Sequence, residues 1–245
     1  MSAFFLSAVS VSQASDSCTS GLKKQRVEVR YVYDGDTLQL SDNRRVRLVG
    51  INTPELGKGP AWSRSIAKQA ASTLKQWVSL HKQDVYLQIE KESHDSYGRT
   101  LGYIVDSTGL GPDVALLEKG LAYSVAIAPN LQKLRCHKAA EKRARLAGLG
   151  VWLHGPFSAS SFDKKQLGFA LVQGTVTRQY RFKTAEALVL DENVVVMLRR
   201  ALPLSPISGR KVQVRGWVQA KKFKRGRFEA SFVMYLSHTS NVEEL

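Results

Sequence analysis

The sequence predicts a mainly β chain with a minority of helix, an α+β fold of two small barrels in series. Three observations carry this. Apolar and polar residues alternate with the two-residue period of half-buried strands in five short stretches between residues 26 and 105. Three helical patterns interrupt or follow those stretches. Beyond residue 168 only strand patterns remain, five of them before residue 245.

The elements run in a definite order. Val27, Val29, Tyr31 and Tyr33 alternate with polar residues, and Asp34-Gly35 is a turn signal. Residues 37–40 return, Ser41-Asp42-Asn43 turns the chain again, and residues 44–50 form a third strand. Trp62, Ile66, Ala70, Leu74 and Val78 recur every four residues, one stripe of a helix. Residues 84–90 set Val85, Leu87 and Ile89 on one face, and residues 99–105 are the fifth strand. Three strands, a helix and two strands is the plan of a five-stranded barrel of the OB type. Two more helices follow. Asp113 is a good N-cap for one that stops at Gly120, and the other spans residues 131–147 ahead of Gly148. Trp152 is expected to close the unit.

Residues 156–167 are rich in small and turn residues and read as a linker. The chain then divides into an N-terminal tail (1–25), a first barrel unit (26–155) and an OB-like β-domain (168–245). Strand candidates in the last are 169–177, 185–190, 194–199, 211–218 and 227–236. Composition is near the globular average, 43% apolar and 23% charged, which excludes a disordered, collagen-like or coiled-coil chain. No apolar run reaches the roughly 18 residues of a membrane span. The 36 basic and 21 acidic residues leave a net charge of +15, with +8 of it in residues 156–245. That excess fits a polyanionic partner, either nucleic acid or an anionic surface.

The opening MSAFFLSAVSVSQAS reads as part of an export signal, with a short apolar stretch and a small-x-small cleavage site at Ser12-Gln13-Ala14. It lacks a basic n-region, and a frayed apolar N-terminus is the alternative. Export implies a secreted or periplasmic location, where Cys18 and Cys136 can form a disulfide. Two unpaired thiols are the alternative. Two cysteines are too few for a disulfide-built miniprotein or a four-cysteine zinc site.

Three segments at strand ends can carry chemistry: Asp34-Gly35-Asp36-Thr37, residues 47–55 (RLVGINTPE), and Asp95-Ser96-Tyr97-Gly98-Arg99. A hard cation takes oxygen ligands, and Asp36 and Asn52 offer side-chain oxygens and Thr53 a carbonyl. Guanidiniums hold phosphate through paired hydrogen bonds and keep their charge, which suits Arg47 and Arg99 to a five-coordinate phosphorus. Glu55 can orient or deprotonate a water. Together these residue types form a kit for phosphodiester hydrolysis. Singly, each has a plainer reading as a hairpin turn, a strand-end charge or a helix start. The five histidines show no metal-ligand spacing.

These three segments resemble those of the staphylococcal nuclease family, whose DGDT, RL-x-x-[ILV]-[DN]-TPE and D-x-YGR patterns stand here in order. Gly120-Leu121-Ala122 and Pro129-Asn130 extend the likeness, which covers residues 26–152. The resemblance implies hydrolysis of DNA and RNA on an OB-type barrel with Ca2+ as cofactor. It implies Asp36 and the Thr53 carbonyl as calcium ligands, Glu55 as base, and Arg47 and Arg99 as phosphate and transition-state arginines. Asn52 stands where the best-known member has aspartate, so one charge is lost from the metal site. Ser124-Val125-Ala126-Ile127-Ala128 replaces a tyrosine-rich segment that stacks on the substrate base there, leaving Tyr97 for phosphate or base contact.

Two other classes remain open: a non-catalytic nucleic-acid binder on the same scaffold, and an envelope interaction module. Residues 178–183 and 221–228 mix basic and aromatic side chains. They read either as a contact surface for single-stranded nucleic acid or as solvated hairpin tips with half-buried rings.

Overall fold

The computed structural model describes residues 18–199 and 207–245, and the expected export signal lies outside the described residues. The first strand breaks at Val27-Glu28 into β1 (Gln25–Arg26) and β2 (Val29–Val32). This break lets one stretch of chain serve two neighbours. β3 (Thr37–Leu40) pairs antiparallel with β2 and with β4 (Arg45–Leu48). After β5 (Ile51–Asn52) and α1 (Ala61–Leu80) come β6 (Tyr86–His94) and β7 (Thr100–Val105). β7 lies parallel to β4 and antiparallel to β6, and β6 takes β1 on its far side. The sheet order β1-β6-β7-β4-β3-β2 therefore starts and ends on neighbouring pieces of one strand, which closes the five-stranded sheet. Inside it lie Leu38, Val46, Leu87 and Ile104, and the α1 stripe adds Ile66, Ala70 and Leu74.

Three further elements complete this half: α2 (Pro112–Glu118), β8 (Tyr123–Ser124), which pairs with β5, and α3 (Leu134–Leu146). Gly111, not Asp113, precedes α2 as its cap residue. Asp113 is buried instead, its Oδ2 lying 3.2 Å from Lys133 Nζ and 2.7 Å from His137 Nε2. Burial alone would raise this carboxyl. The Lys133 charge and the His137 contact outweigh it and hold the group well below the usual carboxylate range. The cluster thus ties α2 to the start of α3. Cys18 and Cys136 are bonded across 118 residues of sequence, with Cα atoms 5.5 Å apart, and anchor the segment before β1 to α3. A closed loop of that size contributes about 4–5 kcal/mol in the chain-entropy account.

Residues 156–167, expected as a linker, are built into the fold. β9 (Phe157–Ser158) runs parallel to β10 (Gly168–Arg181). Ala159 and Phe162 are buried in the C-terminal core, and Asn193 Nδ2 donates to their carbonyls at 2.9 and 3.0 Å. The small residues here make tight 3-10 turns rather than a free tether. β10 meets β11 (Ala185–Leu190) on one side and β13 (Lys211–Arg225) on the other. β12 (Val194–Arg199) joins β11 antiparallel and β14 (Phe228–Leu236) parallel, and β14 returns to β13. β15 (Val242–Glu244) adds to β13. The circular order β10-β11-β12-β14-β13 matches β2-β3-β4-β7-β6, including its single parallel pair.

The two sheets are joined by buried polar bonds as well as by packing. Arg215 of β13 lies 2.6 Å from the Glu141 carboxylate of α3, and both side chains are almost fully buried. The same guanidinium donates to the Ser124 carbonyl at 3.1 Å, and the Ser124 N–H donates to Glu141 at 2.7 Å. Asn241 accepts from the Ala126 N–H at 2.9 Å and donates to its carbonyl at 2.7 Å. Phe169 and Leu171 of β10 pack against the first core.

Removing one member of a buried ion pair leaves the other charge without a partner. Glu141→Ala is expected to lower stability by about 3–5 kcal/mol. Denaturant unfolding of wild type and variant measures this, and a loss below about 1 kcal/mol would mean that water reaches Arg215.

Candidate active site

The three segments meet because of local backbone requirements. The Tyr33 N–H donates to the Thr37 carbonyl at 3.0 Å, and the Asp36 N–H to Asp34 Oδ1 at 2.9 Å, so the Asp34 side chain shapes its own turn. A Cβ at Gly35 would stand 2.5 Å from Ala70 Cβ and 2.7 Å from Thr53 Cγ2. Glycine there lets the turn lie directly on α1 and on the strand that carries Asn52. Gly50 has φ +79° and bends the chain from β4 into β5, beneath the ring of His137. Gly98 closes the third turn, in which Asp95 accepts from the N–H groups of Tyr97 and Arg99 and from Arg99 Nε at 2.7 Å.

The result is a cleft of about 300 Å³. Asp36, Arg47, Asn52, Glu55 and Arg99 all line it, together with Asp34. Asp36 is only 6% exposed. Its Oδ2 accepts from the Thr53 N–H at 2.8 Å and the Thr53 hydroxyl at 3.0 Å, and lies 3.2 Å from the Arg47 guanidinium. Arg47 also donates to the carbonyls of Leu48 and Ile51 and to Asn52 Oδ1. The Thr53 carbonyl accepts from Asn52 Nδ2 at 3.2 Å. Glu55 follows β5 and is exposed.

A model of the family described as "Staphylococcal nuclease homologue" matches residues 45–154. The thermonuclease of Staphylococcus intermedius is 34% identical over 130 residues, which span 51% of this chain and 74% of that protein. The chain belongs to the staphylococcal nuclease family. A thermonuclease of Staphylococcus hyicus is 30% identical over 139 residues, 54% of this chain and 79% of that protein. Endonuclease YhcR of Bacillus subtilis (strain 168) is 27% identical over 132 residues, 49% of this chain and 11% of that protein.

In this staphylococcal nuclease family chain, the donor set fits a hard divalent cation. Two carboxylates, Asp34 and Asp36, share the cleft with the Asn52 amide oxygen, and burial and the neighbouring Asp36 charge push the Asp34 carboxyl up to about 6. Such a pair is costly to ionise alone, and a cation between the oxygens would relieve it. Among the described residues no three His, Cys, Asp or Glu side chains form a metal cluster.

Some placements differ from the sequence reading. Tyr97 is 84% exposed and does not line the cleft. It rides on the outer side of the Gly98 turn, with its ring 5.6 Å from the Arg99 guanidinium. The cleft includes three residues the reading did not single out: Tyr33, Arg45 and Trp217. Arg45 was legible, since it shares a strand face with Arg47 two residues on. Trp217 comes from β13 and carries no local signal. The aromatic rings of residues 178–183 and 221–228 pack on one another, with Tyr180, Phe182, Phe223 and Phe228 half-buried over a small apolar cluster.

The raised Asp34 carboxyl has a consequence for stability. Without a divalent cation the folded protein holds this proton up to about pH 6, whereas an unfolded aspartate releases it near pH 3.9. Folded molecules bind more protons in that window, so stability falls as pH rises through it. Asp34→Asn is expected to raise the melting temperature in chelator at about pH 7.5 and to leave it unchanged below about pH 4. Equal melting temperatures at the higher pH would show that Asp34 ionises freely.

Proposed function

We propose that this protein is a calcium-dependent nuclease that hydrolyses phosphodiester bonds of DNA and/or RNA at this cleft. The observation that carries the reading is the convergence of Asp36, Arg47, Asn52, Glu55 and Arg99 on one cavity. Its similarity to two thermonucleases and an endonuclease supports the same reaction class.

Asp36 and Asn52 would hold Ca2+, with Asp34 beside them and the carbonyl of Thr53, which borders the adjoining groove rather than this cleft, as the remaining protein ligand. When bound, the cation polarises a phosphoryl oxygen as a Lewis acid. Arg47 is braced by backbone carbonyls and by Asn52, and Arg99 by Asp95. Both guanidiniums are thereby oriented before negative charge builds up on five-coordinate phosphorus, which is when fixed donors act most strongly. Glu55 stands at the rim, free to approach a water. It takes a proton from that water as the oxygen attacks phosphorus; the P–O bond opposite breaks, and the departing ester oxygen keeps the electron pair and takes a proton from solvent.

The proposal covers the whole chain. Residues 26–155 form the catalytic barrel, and residues 168–245 a second OB-like barrel, a division supported by their matching strand orders. The Cys18–Cys136 bond supports export, because disulfides persist in oxidising compartments.

Digestion of DNA and RNA in millimolar calcium and then in chelator tests the reaction. Wild type is expected to cleave only with calcium. Glu55→Gln is expected to slow cleavage by roughly 10²–10⁴-fold, and loss of either arginine by roughly 10²–10³-fold. Intact nucleic acid after incubation of wild type with calcium would overturn the reading, and binding without cleavage would make the protein a nucleic-acid binder.

A further inference from the structure

The wall of the cleft opposite the first barrel is a tryptophan from the other sheet. Trp217 lines the cleft beside Glu55, Arg47 and Arg99. It also lines the groove that continues between the two sheets, where Lys58 and Lys165 are exposed. Asn52, Glu55 and Trp217 border both cavities, so cleft and groove adjoin.

Among the described residues the indole has one aromatic partner. Trp217 sits directly across from Phe169 in the β10–β13 pairing, and the rings meet edge to face at 5.1 Å. Phe169 in turn packs on Tyr123 at 5.3 Å and against the first core. Yet Trp217 remains 39% exposed. The edge-to-face contact fixes one edge of the indole and leaves part of the ring in solvent beside a cluster of guanidiniums, a place that suits a flat apolar ligand carrying negative charge. Nucleobases on a phosphate backbone have that character, and aromatic platforms flanked by cations are how single strands are held.

We infer that Trp217 is a base platform of the cleft. The nucleobase next to the bound phosphodiester stacks on its indole, and Lys58 and Lys165 follow the backbone into the groove. A base inside a duplex has both faces covered by its neighbours, so the platform selects single-stranded or frayed substrate. The C-terminal sheet is then part of the binding site rather than an appendage. This inference rests on the nuclease reading for its substrate, but its test does not depend on cleavage.

The test measures binding of a fluorescein-labelled oligothymidylate to the full-length Glu55→Gln protein in calcium, by anisotropy. Trp217→Leu keeps apolar bulk against Phe169 and removes the π face. It is expected to weaken binding by roughly tenfold, while Trp217→Phe stays within about twofold. An oligomer of abasic residues is expected to bind all three proteins alike. Equal affinity of the Trp217→Leu protein and its parent for oligothymidylate would overturn the platform, and so would an equal loss on the abasic oligomer. A wild type that cleaves nothing, but whose oligothymidylate binding depends on Trp217, supports the platform and defeats the hydrolysis. A wild type that cleaves single and double strands equally, and a Trp217→Leu protein that does the same, leave the hydrolysis standing and overturn the platform.

Discussion

The Asp36 carboxylate is the point on which the site depends. A charge this deeply buried is tolerable only when donors surround it, and its donors come from two other stretches of chain. Arg47 reaches it from β4, and Thr53 supplies both its N–H and its hydroxyl from the end of β5. The turn before β3, the strand β4 and the segment that leads to Glu55 are thereby locked in one arrangement. Gly35 makes the lock possible, since any side chain there would push the turn away from α1. Under the proposed reaction, the oxygen that would coordinate the cation and the guanidinium that would bind phosphate are positioned by the same bonds that stabilise the barrel mouth.

The second sheet extends that rigidity to the far wall. Residues 124–128 carry no aromatic ring, and their backbone is held from the C-terminal side. Arg215 takes the Ser124 carbonyl and Asn241 pairs with both polar groups of Ala126. Ser237 accepts from the Ala128 N–H at 3.1 Å. A loop that would otherwise need its own contacts is clamped by another sheet, and the same strand that bears Arg215 presents Trp217 two residues further on. Because side chains two apart on a strand share a face, burying Arg215 against α3 aims Trp217 toward the first barrel as well.

How much of this was legible follows from the range of each interaction. Strand alternation and the stripe on α1 are local patterns, and β2, β3, β4, β6 and β7 appear in the expected order, whereas the short β5 was not expected as a strand of its own. The three turn segments carry glycines and acids whose roles are settled within a few residues, so their chemistry could be read before their convergence was visible. Asp113 looked like an N-cap because it precedes an apolar run, but Lys133 and His137 compete for it from twenty or more residues away. Residues 156–167 looked like a tether because small residues also make compact turns, and Asn193, which fastens them, lies far along the chain. Tyr97 lies in the expected segment but outside the cleft, and nothing local to the segment sets the direction of its ring. Trp217 could not be found from its neighbours at all, since its place depends on how two sheets dock.

The charges around the cleft bear on the exchange of a carboxylate for Asn52. Asp34, Asp36 and Glu55 face Arg45, Arg47 and Arg99, three of each sign. By formal charge these six side chains cancel, and a divalent cation would make the cleft doubly positive. With an aspartate at position 52 the cation would be held by one more charge, but the loaded cleft would attract a phosphodiester less. Coulomb attraction between the cleft and a substrate phosphate scales directly with that net charge. The amide keeps an oxygen for coordination and, through Oδ1, keeps Arg47 in position. Under the proposed reaction Asn52 therefore trades affinity for the ion against affinity for the substrate.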